Sequence, residues 1–290
     1  METISSTPTP QSPRNSNNWL IPLSIVIAGL LIGGGIFGAL LLTRGNSNST
    51  GPVATRPVNP HLEKNMTPVS SADHIRGKAD APITLVEYSD TDCYYCNKFL
   101  VETIRPIINP YIAQGKVNWV YRHFNTGISS HPHTEIEAEA TECVAQLGGN
   151  DKFWQFVDML FDKKDFESSP AKLIDPNTLP TLVASIGINK AQFSQCLTSG
   201  KNKSVIATMT QNAQAAGGRG TPYSIITSKA VINADLKKMV SDVNNQILGD
   251  NTTAQDVLYV SSDGHEIVLG GAMPPAIMTD IMTRLLALNS

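Results

Sequence analysis

The sequence from residue 86 to residue 96 is Val86-Glu87-Tyr88-Ser89-Asp90-Thr91-Asp92-Cys93-Tyr94-Tyr95-Cys96. The apolar run 83–88 that leads into the cysteines is rich in β-forming residues and predicts a buried strand. Beyond Cys96, apolar residues recur at helical spacing as far as Gly115, which predicts a helix that Pro106 kinks. The two cysteines are therefore expected at a strand-to-helix junction.

The spacing Cys-x-x-Cys at such a junction favours thiol–disulfide exchange. Cys93 is expected at the helix N-terminus, where unpaired N–H groups and the helix dipole stabilise a thiolate, and Cys96 one turn further in. Two intervening residues allow a small disulfide ring that opens and closes readily. A zinc site needs two more ligands, but the sequence has no second Cys-x-x-Cys or Cys-x-x-His, and His131 and His133 are better explained as the start of a helix. Redox chemistry is thus favoured over metal binding and over inert cysteines.

The remaining folded part alternates between β-rich and helical patterns. Residues 117–124 form a second β-rich run, so the order strand, helix, strand predicts a βαβ unit. Helical patterns then dominate, and an all-helical insertion at about 129–218 is the simplest explanation. Its expected inward-facing residues are Ile136, Ala140, Cys143, Val144 and Leu147, then Phe153, Phe156, Val157 and Leu160, then Phe193, Cys196 and Leu197 after the capping residue Asn189, and finally Val205, Met209, Ala213 and Ala216.

Strand patterns return after the insertion. Residues 223–227 are strand-like, and 257–260 can pair with 266–269 across a turn. Pro274 can begin a final helix. Between these strands, residues 228–255 suggest an extra helix whose role the sequence does not reveal.

The N-terminal seventy residues have a different composition from the rest. From Trp19 to Thr43 the sequence is uncharged and longer than the roughly 20 residues that cross a bilayer. We therefore expect a disordered cytoplasmic tail at 1–17, one transmembrane helix at 18–43, a flexible linker at 44–70 rich in Pro, Gly, Ser and Asn, and a folded domain at 71–290. A cleavable signal peptide remains the alternative for the apolar segment. Arg14 and Arg44 lie on opposite sides of it and do not decide its orientation.

Composition restricts the function classes further. The formal net charge is −3, and no cluster of Lys and Arg is interleaved with aromatic residues, so nucleic acid is an unexpected partner. The chain has 4 cysteines, an even number that permits two disulfides outside the cytoplasm. No cofactor is expected.

The run 86–96 resembles the active-site strand of the DsbA-like thiol-disulfide oxidoreductases, whose members carry a helical domain inside a thioredoxin fold. Gly220-Thr221-Pro222 before a strand resembles the cis-proline loop of that family. Tyr121-Arg122-His123-Phe124 with the helix of Cys143 resembles its middle region. The resemblance covers about residues 72–290 and implies an α/β thioredoxin-like fold with an inserted all-helical domain.

The resemblance also implies roles for particular residues. Cys93 and Cys96 would be the catalytic pair, and Glu87 a buried acid near Cys96 that handles its proton, although a hydrogen-bonded structural Glu87 remains an alternative. Thr221 and Pro222 would bind extended substrate together with Tyr94 and Tyr95, the residues between the cysteines.

Two further implications concern the other cysteines and a departure from the family. Some relatives have a second disulfide in the helical domain, which implies a Cys143–Cys196 bond, whereas two buried free thiols are the alternative. Relatives that are strong oxidases commonly carry His just before the second cysteine, but this chain has Tyr95 there. Its oxidising strength is therefore an open question.

Together these observations predict an enzyme that donates the Cys93–Cys96 disulfide to thiols of exported proteins at a bacterial cell envelope. Its N-terminus would be cytoplasmic, its catalytic domain extracytoplasmic, and a membrane redox partner would regenerate it. A reductase or isomerase on the same fold is one alternative. A metal-binding module or copper chaperone that uses the two cysteines as soft ligands is another, and a purely structural anchored domain is a third.

Overall fold

Six strands form one mixed sheet in the computed structural model, which describes residues 59–251 and 254–290. The expected tail at 1–17, the expected transmembrane helix at 18–43 and most of the expected linker lie outside the described residues. Among the residues that are described, no helix has both the length and the apolar character that a membrane crossing requires.

The strands occur in the sheet in the order β1-β3-β2-β4-β6-β5. They span His74–Arg76 (β1), Ile83–Ser89 (β2), Val117–His123 (β3), Tyr223–Ser228 (β4), Leu258–Val260 (β5) and Glu266–Gly270 (β6). β2 and β3 pair in parallel, whereas each of the other neighbouring pairs is antiparallel. The helical connection between β2 and β3 completes the predicted βαβ unit, and β5 and β6 form the predicted hairpin.

The helices are α1 (Tyr94–Phe99), α2 (Asn109–Ala113), α3 (Thr134–Asp162), α4 (Leu179–Ser185), α5 (Lys190–Ser199), α6 (Lys203–Ala215), α7 (Ala234–Leu248) and α8 (Pro275–Leu288). Residues Leu100–Ile108, which join α1 to α2, form a π-helix that contains Pro106. The helix disturbance expected at this proline therefore takes the form of wider turns, because proline has no N–H to donate. In α3, Gly149 has a φ of 81° and interrupts the helical geometry.

The inserted helical domain is confirmed, with α3 to α6 lying between β3 and β4. Asn189 caps α5 as predicted, since its side chain accepts hydrogen bonds from the backbone N–H groups of Ala191 and Gln192. The predicted inner face of α6 is wrong in one respect. Val205 is 43% exposed, and Ile206, one position further on, is buried instead. The expectation for Leu147 of α3 is also wrong, since this residue is 38% exposed.

The extra segment after β4 is helical, as the pattern of residues 228–255 suggested. It forms α7, whose Leu236 and Val240 are buried in the main core, whereas Ile247 is exposed. Asn233 caps this helix by accepting a hydrogen bond from the backbone N–H of Leu236. The segment therefore extends the core beside the β5–β6 hairpin.

Part of the expected flexible linker is instead packed against the domain. Residues Leu62–Asn65 form a short 3-10 helix, and Glu63 is only 3% exposed. The carboxylate of Glu63 accepts a hydrogen bond of 3.0 Å from the hydroxyl of Tyr259. The prediction of a solvated linker across 44–70 is therefore wrong for this stretch, because a sequence rich in polar residues gave no sign of this long-range contact.

β2 separates two cores because its side chains alternate between the faces of the sheet. Leu85 and the two cysteines of the motif belong to the larger core, which contains the π-helix, α7, α8 and the second half of α3. Val86 and Tyr88 face the opposite side, where α6 packs. Glu87 lies between these two residues in β2 and therefore faces the cysteine side.

Candidate active site

Cys93 is the N-cap residue of α1, so the strand-to-helix junction predicted from the sequence is present. Its backbone N–H donates to the carbonyl of Asp90 at 3.2 Å, and its own carbonyl accepts the first helical hydrogen bond from Asn97 at 3.1 Å. Cys93 is 3% exposed and Cys96 is fully buried. The first sulfur is thus the one nearer to solvent, and the second lies one turn deeper.

The loop before β4 lies against the first cysteine. The peptide bond between Thr221 and Pro222 is cis, as the resemblance implied. The Cys93 Sγ lies 3.5 Å from the Thr221 carbonyl oxygen. The structure therefore brings Cys93 and this loop together, and it leaves the Thr221 backbone beside the reactive sulfur.

The pKa values of the two thiols are shifted in opposite directions. A hydrogen bond from Cys96 has the largest effect and lowers the pKa of Cys93. Burial raises this pKa and the Thr221 side chain lowers it, and the net result is a pKa of about 6. Burial raises the pKa of Cys96 well above its usual value, and the neighbouring Cys93 and Glu87 raise it further. At neutral pH the reduced pair therefore carries one thiolate, on Cys93, which suits attack by one sulfur and resolution by the other.

Glu87 lies in the interior on the side of the cysteines, as expected. It pairs across the sheet with Tyr121 of β3 and Ser224 of β4 and is 2% exposed. Burial raises its pKa to about 7, against the opposing effect of Ser89 and Trp119. A carboxyl group with this pKa exchanges protons readily near neutral pH, which is what a proton relay for Cys96 requires.

Asp90 connects the cysteine loop to the start of α3 and to His131 just before it. Its carboxylate accepts hydrogen bonds from the backbone of Asp92 at 2.8 Å and from the Thr134 hydroxyl at 2.7 Å. The same carboxylate lies 2.8 Å from Nδ1 of His131. Asp90 thus fixes the loop that carries Cys93 and holds an imidazole beside it.

A buried lysine lies beneath the same loop. The ammonium of Lys164 contacts Asp92 at 3.0 Å, Glu137 at 2.5 Å and the carbonyl of Thr91 at 2.9 Å. The side chains of all three charged residues are completely inaccessible to solvent. His133, close to both carboxylates, is the N-cap residue of α3, which confirms the predicted helix start. Because both carboxylates already pair with Lys164, we assign no metal to this group.

The two tyrosines between the cysteines lie at the surface. Tyr94 is 36% exposed and Tyr95 is 59% exposed. The ring of Tyr94 contacts those of Tyr95 and Phe166 edge-on, with centroid separations of 5.1 and 6.2 Å. The structure thus places exposed aromatic side chains next to Cys93 in the sequence and at the surface.

The other two cysteines are joined to each other. Cys143 in α3 and Cys196 in α5 form a disulfide with a Cα–Cα distance of 5.9 Å, the pairing that the resemblance implied. Both lie in the core of the helical domain and away from the main core that contains Cys93 and Cys96. The bond therefore braces the insertion and takes no part in the candidate active site.

Sequence reasoning missed the polar residues that surround the cysteine loop. Asp90 and Asp92 are part of the quoted run, but their pattern gave no indication that both would be buried. His131 was weighed as a metal ligand and interpreted as a helix start, and Lys164 gave no sequence signal, since a lone lysine is usually exposed. These residues come together only when the insertion folds onto the cysteine loop.

Comparison with known proteins agrees with this architecture. A model of the family described as Thioredoxin matches residues 70–245. The crystal structure of Wolbachia pipientis alpha-DsbA1 is similar, with a TM-score of 0.54 and 20% identity over 78% of this chain and 96% of that chain. The crystal structure of Salmonella enterica Typhimurium BcfH gives a TM-score of 0.53 and 16% identity over 92% and 96% of the two chains. These likenesses confirm the predicted DsbA-like fold.

The curated relatives are considerably longer proteins. One is Na(+)/H(+) antiporter NhaA 3 of Salinispora tropica, which is 36% identical over 110 residues, or 38% of this chain and 16% of that protein. Another is Na(+)/H(+) antiporter NhaA of Herminiimonas arsenicoxydans, which is 28% identical over 164 residues, or 54% of this chain and 22% of that protein. The matched segments therefore represent less than a quarter of each relative.

Proposed function

The chain belongs to the thioredoxin family, and from that premise we propose that it oxidises thiols of exported proteins by dithiol–disulfide exchange through Cys93 and Cys96. The observation that carries this proposal is the contrast between the two thiols. Cys93 has a pKa lowered to about 6 at the N-terminus of α1, whereas the pKa of Cys96 is raised in the interior. A stabilised Cys93 thiolate favours the reduced form of the pair and so makes its disulfide a better oxidant.

The exchange proceeds in two balanced steps. A substrate thiolate attacks Sγ of Cys93, the Cys93–Cys96 bond breaks, and Cys96 leaves with the electron pair and takes a proton, for which Glu87 is the nearby source. A second substrate thiolate then attacks the substrate sulfur of the mixed disulfide, and Cys93 leaves as a thiolate. Two electrons pass to the enzyme and the substrate gains one disulfide.

The surroundings of Cys93 suit an extended polypeptide substrate. The Thr221 carbonyl beside Cys93 offers backbone hydrogen bonding, and Tyr94 and Tyr95 offer exposed aromatic surface. Each turnover leaves Cys93 and Cys96 reduced, so the cycle needs a reoxidant, and a membrane redox partner is the one that we propose.

We also propose an extracytoplasmic location, with one transmembrane helix at 18–43 and a cytoplasmic N-terminus. The Cys143–Cys196 disulfide supports this location, because such bonds persist in oxidising compartments. An impermeant maleimide applied to intact cells tests it. Labelling of reduced Cys93 before lysis is expected, and labelling only after lysis would contradict the location.

The reduction potential of the Cys93–Cys96 pair tests the activity. The full chain is equilibrated in glutathione buffers and the fraction oxidised is measured by mass spectrometry after alkylation. Because a pKa of about 6 lies between about 7 for thioredoxin and about 3.5 for DsbA, we expect a potential between their values of about −270 mV and about −120 mV. A value near about −270 mV would instead assign a reductase.

A further inference from the structure

Neither residue between the cysteines can supply a positive charge to Cys93. Tyr94 and Tyr95 have phenol side chains, which are neutral or negative but never cationic. A nearby cation is one of the main ways in which a protein stabilises a reactive thiolate. Any such cation must therefore come from another part of the fold.

His131 lies in a suitable position. Its Nδ1 is 2.8 Å from the Asp90 carboxylate, and the carbonyl of Asp90 accepts the backbone N–H of Cys93. The side chain of His131 is 14% exposed, so it can exchange protons with solvent while remaining largely shielded from it. Asp90 thus connects the imidazole of His131 to Cys93, although His131 and Cys93 are far apart in the sequence.

The charges around His131 favour its protonated form. The hydrogen bond to Asp90 is the largest effect and raises the pKa of His131, burial opposes it, and Cys93 and Asp92 raise it further. Lys164 lies 3.0 Å from Asp92 but also pairs with Glu137, so its one positive charge is shared between two carboxylates. In return, the charge of His131 lowers the pKa of Cys93, although this effect is smaller than those of Cys96 and Thr221.

We propose that His131, held by Asp90, is a positioning residue that supplies the positive charge stabilising the Cys93 thiolate. The inserted domain thereby provides a charge that the residues between the cysteines lack. This inference deepens the proposed function and rests on it for its biological meaning. It predicts that the oxidising strength of the pair decreases as pH rises and His131 loses its proton.

Replacement of His131 by glutamine tests the charge separately from the hydrogen bond. The amide of His131→Gln can still donate to Asp90 but carries no charge. The rate of Cys93 alkylation by iodoacetamide is measured against pH in the reduced full chain, with mass spectrometry to identify the modified cysteine. We expect the apparent pKa of Cys93 to rise by about half a unit to one unit, so that alkylation at pH 6 slows about twofold to fivefold.

His133→Gln is the matched control, because His133 lies in the same loop but its hydrogen bond, from the backbone N–H, is to Asp92 and would survive the substitution. It should leave the alkylation profile unchanged. The equilibrium with glutathione provides a second readout, and His131→Gln should shift it by a similar factor toward the oxidised form of the pair. An unchanged profile in His131→Gln, or an equal change in both variants, would overturn the proposal.

A measurement on the unmodified chain covers the case in which a variant fails to fold. Thermodynamic reciprocity requires the Cys93 thiolate to raise the pKa of His131 by as much as the imidazolium lowers that of Cys93. NMR titration of the imidazole should therefore give a higher pKa for His131 in the reduced protein than in the oxidised protein. Equal values in the two redox states would contradict the inference.

Failure of this inference can be distinguished from failure of the proposed function. If the unmodified chain does not oxidise a reduced peptide but the pKa of His131 still depends on redox state, the electrostatic link is supported and the oxidase function is rejected. If the chain oxidises the peptide but the pKa of His131 is independent of redox state, the function is retained and the role of His131 is rejected.

Discussion

The Lys164 ammonium lies 3.0 Å from the carboxylate of Asp92, the residue immediately before Cys93, and both side chains are completely inaccessible to solvent. Glu137 completes the group from α3. Removing the cation would leave two carboxylates buried side by side. Either one of them would then take up a proton, or water would enter the site. The group therefore holds the cysteine loop against the inserted domain.

We expect Lys164→Met to lower the free energy of unfolding by about 3–5 kcal/mol, because it breaks a buried ion pair and leaves its partners uncompensated. Chemical denaturation at pH 7 measures the change. Lys98→Met is the control, since Lys98 pairs with Glu102 at the surface and should leave stability almost unchanged. Equal stability of the two variants would show that the buried group contributes little.

Much of the fold follows from local sequence patterns. The strand that ends near Ser89, the helix that begins after Cys93 and the β5–β6 hairpin are each specified within a few residues, by periodicity and by turn residues. The cysteine motif could be assigned to a strand-to-helix junction for the same reason. The pairing of Cys143 with Cys196 instead came from a family resemblance.

The rest depends on contacts between distant segments. Val205 and Ile206 in α6 are both apolar and adjacent in the sequence, so periodicity could not decide which of the two is buried. His131 contacts Asp90 and Lys164 contacts Asp92, across sequence separations of 41 and 72 residues. A single sequence holds no signal for such charge pairs, because an isolated charged residue is usually solvated.

A second buried group links the sheet to the inserted domain. The carboxylate of Glu142 in α3 lies 3.0 Å from Nε2 of His74 in β1 and 3.2 Å from Nε2 of His123 in β3. His74 also stacks on Phe153, with ring centroids 3.5 Å apart. Burial alone would raise the pKa of Glu142, but the hydrogen bonds with His123 and His74 outweigh it and lower the pKa to about 2.

The acid stability of the protein should therefore depend on Glu142. Because its folded pKa is below the unfolded value of 4.5, its contribution is complete above about pH 4.5 and is lost as the pH falls toward 2. The contribution is at most about 3 kcal/mol. Denaturation between pH 2 and pH 6 should show a shallower pH dependence for Glu142→Gln than for the unmodified chain. Glu135→Gln, at an exposed position on the same helix, should retain the original slope.

Glu87 should have the opposite effect on stability in the reduced protein. Burial raises its folded pKa to about 7 from an unfolded value of 4.5, so the folded state binds more protons between these values. Stability therefore decreases as the pH rises from about 4.5 to about 7, by at most about 3 kcal/mol. Glu87→Gln cannot ionise and should abolish most of this decrease in denaturation experiments at pH 5 and pH 8.

An exposed acid provides the comparison for Glu87. Glu102 is at the surface, where it pairs with Lys98. Glu102→Gln should leave the difference in stability between pH 5 and pH 8 unchanged. If Glu87→Gln retains the full pH dependence of the unmodified chain, Glu87 is not the group that titrates, and its role as a proton relay for Cys96 loses its physical basis.

The Cys143–Cys196 disulfide should stabilise the protein without affecting exchange at the other pair. It closes a loop with a sequence separation of 53, which corresponds to about 4 kcal/mol of unfolding free energy in the chain-entropy description. The double variant Cys143→Ser/Cys196→Ser should lose stability by up to that amount but keep the reduction potential of Cys93–Cys96, because its cysteines lie in a separate core. Cys93→Ser/Cys96→Ser should show the reverse, with stability largely retained and exchange abolished. A shifted potential in the first variant would instead reveal coupling between the two disulfides through α3, the helix that contributes to both cores.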